Sequence, residues 1–175
     1  MSGPLVVPLD NALADACIET QNRKYPDLKV VPERFGVGES LYSTYKTVLD
    51  QIRIHPDLKG VLAYGSEGAI GAARALEERG KDKQIALVGT FLPSLGATYI
   101  KKGVIRVGYL YDPILAGRII VHIGAMLVRG ERPADGMIVP QLGPVRVFPE
   151  KRLIEASRLE TINRRTIDRL IASGF

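Results

Sequence analysis

A motif repeated thirty residues apart limits what this chain can fold into. Tyr25-Pro26-Asp27-Leu28-Lys29-Val30-Val31 returns as His55-Pro56-Asp57-Leu58-Lys59-Gly60-Val61-Leu62. Each copy follows a helical pattern and opens an apolar run. Proline ends the helix, aspartate favours the turn, and β-branched residues begin a strand. A spacing of about 30 residues is that of an α-turn-β unit wound into a parallel sheet.

The surrounding sequence continues this winding. Leu41, Tyr45, Val48, Leu49 and Ile52 share one helical face, with Ser40 placed to cap it. Leu13, Ala14, Cys17, Ile18 and Gln21 outline an earlier helix, capped by Asp10 or Asn11. After the second copy, a strand over 60–64 leads into the small-residue helix that begins near Ser66-Glu67-Gly68 and stops at Gly80. Strands over 84–89 and 104–110 then alternate with helices over 94–102 and 113–129. Such alternation predicts an α/β fold, a three-layer α/β/α arrangement around a mainly parallel sheet. Val30, Leu62, Leu87 and Val107 are expected to be buried on that sheet. From Pro133 the pattern changes to short extended pieces around Gly143-Pro144 and a last helix over 163–171, which reads as a wrap-around tail.

Composition narrows the function classes. A chain of 175 residues buries about 70% of its unfolded surface, and 46% apolar with 25% charged residues describes a globular protein. Cys17 is the single cysteine and His55 and His122 the only histidines, so no disulfide and no conventional zinc centre is expected. The net charge of +5 is scattered, which argues against nucleic acid as a partner. No apolar run approaches the ~20 residues of a membrane span, and Met1-Ser2-Gly3-Pro4 lacks the zones of an export signal.

In an open parallel sheet, ligands bind beyond the carboxyl ends of the strands. The residues there are Asp10-Asn11 after Leu5-Val6-Val7, Tyr64-Gly65-Ser66 after Val61-Leu62, Thr90-Phe91 after Leu87-Val88, and Tyr111-Asp112 after Tyr109-Leu110. Rings, an amide and hydroxyls with few charges suit a neutral polyhydroxylated ligand better than a phosphate or a metal. Each has a structural alternative: Asp10, Asn11 and Ser66 suit helix caps, Tyr64 and Tyr111 suit strand ends, and Asp112-Pro113 suits a helix start. Glu67, Glu77 and Glu78 read as solvated helix residues. No Gly-x-Ser-x-Gly or Gly-x-Gly-x-x-Gly occurs. The strand ends offer only Asp10 and Asp112 as carboxylates, which is no acid–base pair. The chain is therefore not expected to be an enzyme, and no catalytic residue, cofactor or metal is expected.

The run 62–76, Leu-Ala-Tyr-Gly-Ser-Glu-Gly-Ala-Ile-Gly-Ala-Ala-Arg-Ala-Leu, resembles the strand-helix signature of type I periplasmic sugar-binding proteins. Ile85-Ala86-Leu87-Val88-Gly89, the stretch Tyr99 to Ile105, and Tyr111-Asp112-Pro113 with Gly117 add to the likeness. Phe148-Pro149-Glu150, Thr161-Ile162-Asn163 and the closing Phe175 are similar to the autoinducer-2-binding and rhamnose-binding branch. The resemblance implies two α/β lobes joined by a three-stranded hinge and closing over a sugar-like ligand. This chain matches the C-terminal portion only. Residues 1–112 correspond to the C-terminal lobe with its first strand truncated. Residues 113–175 correspond to the helix and tail that return to the other lobe.

Carried over by position, the resemblance makes Asp10, Asn11, Tyr64, Ser66, Phe91 and Tyr111 the ligand-binding set. Asp10-Asn11 stands where the family often has Gln-Asn, and Leu9 replaces an aspartate of the autoinducer-2 binders. Gly65 replaces an asparagine of the ribose type, Phe91 an aspartate or serine, and Tyr111 a glutamine or tryptophan of the hinge crossing. The implied function is solute capture for an ABC permease in the periplasm. A LacI-type effector-binding half shares the fold and is the alternative; a small flavodoxin-like enzyme is disfavoured by the empty catalytic inventory. The apolar helix 113–129 is expected to drive self-association, because its apolar band is too wide for one contact face.

Overall fold

The computed structural model describes residues 1–2, 5, 8–31, 34–155 and 159–175; the side chains of Pro8, Leu9, Asp10 and Tyr111 also lie outside the description. The chain divides into two compact units, one of residues 1–109 with 161–175, the other of residues 110–160.

The first unit is built on a sheet of strands β1 (Gly60–Ala63), β2 (Ala86–Thr90), β3 (Ile105–Tyr111) and β8 (Leu159–Ile162), in the order β1-β2-β3-β8. The pairings β1–β2 and β2–β3 are parallel, as the alternating order requires. Helices α1 (Pro8–Lys24), α2 (Leu41–Ile54), α3 (Gly68–Glu78), α4 (Pro93–Lys102) and α6 (Ile167–Ala172) complete the unit. Ser40 caps α2 through its side chain, which accepts the Ser43 amide at 3.2 Å. Gly80, at φ +60°, ends α3 while the Lys81 amide reaches back to the Leu76 carbonyl.

Small residues explain how closely the helices approach. Ala69, Ala72, Ala73 and Leu76 of α3 are buried. A Cβ on Gly71 would lie 2.4 Å from the Leu41 carbonyl oxygen, so only glycine lets α2 and α3 cross there. In the parallel register Val61, Leu87 and Ile105 fall in one row and all are buried, whereas the neighbouring row of Leu62, Val88 and Val107 is more open.

Two core expectations therefore fail. Leu62 is 47% exposed and Val30 45% exposed. Val30 lies in no strand, because the first copy of the repeated motif ends in irregular backbone over 28–31. Among the described residues, Met1 and Ser2 lie beside this part of β1. Met1 donates to the Leu62 carbonyl at 2.7 Å and accepts the Tyr64 amide at 2.9 Å, while the Ser2 amide bonds Phe35 and its carbonyl accepts the Gly38 amide. The expected first strand at Val6-Val7 falls outside the described residues. Leu87 is fully buried, as expected, and Val107 is half-buried.

The second unit holds α5 (Pro113–Val128) and the two antiparallel ribbons β4 (Ile138–Val139) with β5 (Gly143–Pro144), and β6 (Arg146–Phe148) with β7 (Leu153–Glu155). Among its described residues Leu110, Leu115, Val139 and Val145 are buried. Asp112 caps α5 by accepting the Leu115 amide at 2.8 Å, as Asp-Pro at a helix start implies.

Candidate functional site

The carboxyl ends of β1 and β2 gather several polar groups within the first unit. Past Ala63 the chain turns through Tyr64, Gly65 and Ser66 before α3 begins. Gly65 adopts φ +98°, and a Cβ there would meet Glu39 Oε1 and the Gly38 carbonyl oxygen, each at 2.6 Å. Glycine thus lets the 38–39 turn lie directly on the strand end. The Gly65 amide donates to Thr90 Oγ1 at 3.1 Å, which ties the ends of β1 and β2 together. The Ser66 amide donates to Glu39 Oε2 at 3.1 Å.

Ser66 itself is exposed and does not cap α3; that position belongs to Glu67. The Glu67 carboxylate accepts the Leu41 amide at 2.9 Å, so it joins the starts of α2 and α3 rather than facing solvent as a helix surface residue. Tyr64 points its hydroxyl at Cys17 of α1, donating to Sγ at 2.6 Å. Burial first, and the thiol second, push the phenol above its ordinary range. Tyr64 is therefore a neutral donor, half-buried at the strand end.

Asn11 lies inside the first turn of α1, which begins at Pro8; neither it nor Asp10 is the cap expected from sequence. Its amide donates to the Leu5 carbonyl at 2.7 Å and its oxygen accepts from Arg34 Nη1 at 2.9 Å. Arg34 also pairs with Asp15 at 2.5 Å. The Asp10 side chain lies outside the described residues. Phe91 is turned inward and only 2% exposed, its ring against Gly96 and Gly108. Tyr111 ends β3 in the second unit, and its side chain is not described.

The structure thus brings Tyr64, Gly65 and Ser66 to one edge with Thr90, which the sequence also places at a strand end, and adds Glu39, which sequence reasoning did not place there. Glu39 precedes the Ser40 cap, and that capping signal was the one cue to its position. Among the described residues no cluster of His, Cys, Asp and Glu could hold a metal ion. No described helix is long and apolar enough to cross a membrane.

An edge of hydroxyls and a carboxylate at the strand ends of a parallel sheet is a place for hydrogen bonding a small polar molecule. A model of the periplasmic binding protein domain matches residues 1–132. The chain belongs to the periplasmic binding protein family. Solved structures agree on the fold. A sugar ABC transporter protein from Actinomyces odontolyticus superimposes with a TM-score of 0.78 at 21% identity, covering 96% of this chain and 55% of that one. An ABC transporter solute-binding protein from Clostridium phytofermentas with bound L-rhamnose gives 0.77 at 21% identity, covering 93% and 55%. LsrB from Clostridium saccharobutylicum, in complex with AI-2, gives 0.75 at 16% identity, covering 91% and 54%. This periplasmic binding protein chain spans about half the length of those proteins. Its family and neighbours are binding proteins, not enzymes.

Proposed function

We propose that this chain is the C-terminal portion of a solute-binding protein that captures a small neutral sugar, or an autoinducer-2-like molecule, for an ABC permease in the periplasm. The observation that carries the reading is the joined β1–β2 strand end, where the exposed Ser66 hydroxyl stands beside Thr90 Oγ1 and the Glu39 carboxylate, acceptors that hold the Gly65 and Ser66 amides and keep further lone pairs, on a fold whose family model spans residues 1–132. Neighbours holding L-rhamnose and AI-2 support the rhamnose and autoinducer-2 branch. In this reading residues 1–112 form the ligand-binding lobe and 113–175 the return towards a second lobe. Asn11, Tyr64 and Ser66 touch ligand together with Asp10, and Phe91 backs them from the core.

The chain supplies one wall of such a cleft, so much of a bound sugar stays in water. Calorimetric titration with L-rhamnose, D-fucose, D-allose and AI-2 is expected to give at least one weak complex, with Kd above ~1 µM (about 8 kcal/mol). Ser66→Ala and Thr90→Val are expected to weaken it several-fold. Absence of binding to every member, or binding untouched by both substitutions, would contradict the proposal.

Self-association is the second part of the reading. Ile120 and Val121 are each 71% exposed and Val128 is 89% exposed on α5, with Ile114 and Leu127 also about half exposed. An apolar surface of this kind on one helix exceeds what a lone soluble molecule usually shows. Covering it, at ~25 cal/mol per Å², supplies several kcal/mol. Sedimentation velocity at micromolar concentration is expected to show a dimer or larger assembly, shifted to monomer by Ile120→Glu with Val121→Glu. A monomer at every concentration would refute this.

A further inference from the structure

The opposite end of the sheet, where β3 begins, carries a feature unrelated to sugar capture. A shallow pocket of about 460 Å³ opens there between the α4–β3 connection and the turn after β8. Its polar lining is Arg106, Asn163, Arg164 and Arg165, over a floor that includes Ile100 and Ile105. All of these residues belong to the first unit.

Three guanidiniums around one concavity repel each other unless something neutralises them. Among the described residues none of the three has a carboxylate partner. The acids on the flanking elements are engaged by lysines instead: Asp82 by Lys83 at 3.1 Å, Asp168 by Lys101 at 2.6 Å, and Glu77 by Lys102 at 2.9 Å. Arg106 is held in place by the carbonyls of Gly103, Asp82 and Lys83 at 3.2, 3.2 and 3.4 Å. Arg164 gives only its Nε–H, at 3.4 Å, to the Ile100 carbonyl, leaving both terminal nitrogens available. Asn163 uses its side-chain oxygen on the Arg165 and Thr166 amides, which leaves its NH2 as a further donor.

A second concavity on this unit shows the contrast. Lys46, Arg53 and Arg79 line it together with Asp50, and Arg53 pairs with that carboxylate at 3.5 Å. Positive charge without an internal acid distinguishes the Arg106 pocket. Guanidinium groups match the planar, multiply accepting oxygens of phosphate.

We propose that Arg106, Arg164, Arg165 and Asn163 form a binding site for a phosphate-type oxyanion, separate from the sugar edge. Arg106 supplies fixed charge, the other two arginines close on the oxygens, and the Asn163 NH2 adds a neutral donor. The phosphate can be a free anion or the headgroup of an anionic lipid, and the two sources are separable by experiment.

The test titrates the whole chain with inorganic phosphate and pyrophosphate at ionic strength held constant with sodium chloride, read by calorimetry. A parallel arm measures co-sedimentation with phosphatidylglycerol vesicles against phosphatidylcholine vesicles. Pyrophosphate is expected to bind more tightly than phosphate. The double substitution Arg164→Gln with Arg165→Gln, at exposed positions, is expected to weaken binding about tenfold or more, the effect of losing charged hydrogen bonds. Lys46→Gln with Arg53→Gln should leave it unchanged. Free-anion binding identifies a soluble phosphate, and vesicle binding without it identifies a headgroup. No binding in either arm, or binding equally strong in the Arg164/Arg165 double variant, would overturn the proposal.

Discussion

Phe91→Ala is expected to lower the unfolding free energy by about 3–5 kcal/mol. The ring is 2% exposed at the end of β2. It occupies a socket shaped by two glycines: a Cβ on Gly96 of α4 would fall 2.1 Å from Cε2, and one on Gly108 of β3 would fall 2.3 Å from Cε1. Both glycines leave room that the ring fills, so truncation opens a cavity that neither neighbour has a side chain to close. A domain is stable by only about 5–15 kcal/mol in total, which makes this loss a large fraction of the whole. Gly108→Ala approaches the same socket from the other side and is expected to cost about 1–3 kcal/mol by overpacking. Denaturant unfolding measures both. A Phe91→Ala loss below about 1 kcal/mol would show that the ring is not a core element.

For the 175-residue chain prepared with a free amine on Met1, stability is expected to rise between pH 6 and pH 8. Met1 donates to the Leu62 carbonyl of β1, and burial, aided by the Arg34 charge, lowers the ammonium to about 6 from the ordinary 8.0. Between those values the unfolded chain holds the proton and the folded chain does not. Protons are then bound more by the unfolded state, so stability increases with pH across the window and is lost as pH falls from 8 to 6. Two pH units correspond to about 3 kcal/mol at most, and partial exposure of Met1 reduces this to on the order of 2 kcal/mol. Chemical denaturation at pH 6 and pH 8 checks it, with the Nα-acetylated chain as the control in which this increment disappears. An equal increment in the acetylated chain would assign the effect elsewhere.

The winding was legible because it depends on local chemistry. The two Pro-Asp-Leu-Lys turns, the Ser40 cap, the Gly80 stop and the Asp112-Pro113 start each act within a few residues, and the helices and parallel strands follow from them. Burial of Leu62 and Val30 was misread because it depends on what lies beside a strand. The second motif copy continues into β1, whereas the first ends in irregular backbone, although their turns are nearly identical. Phe91 shows the same limit at the site. Its place at a strand end was correct, but its direction is set by Gly96 and Gly108, which come from α4 and β3 and give no local signal. Glu39 and Glu67 were hidden for a related reason: each spans to a backbone amide 26 or 27 residues away. Ser66 and Tyr64 lie just past the strand, as read, because their position depends on where β1 stops.

The central claim is that the joined ends of β1 and β2 contact the sugar. Backbone amide NMR of the labelled chain titrated with L-rhamnose tests it most directly. The account predicts the largest shifts at Gly65, Ser66 and Thr90, with Arg106 and Arg164 unmoved. Shifts confined to other parts of the chain, with Gly65, Ser66 and Thr90 unchanged at saturation, would contradict it.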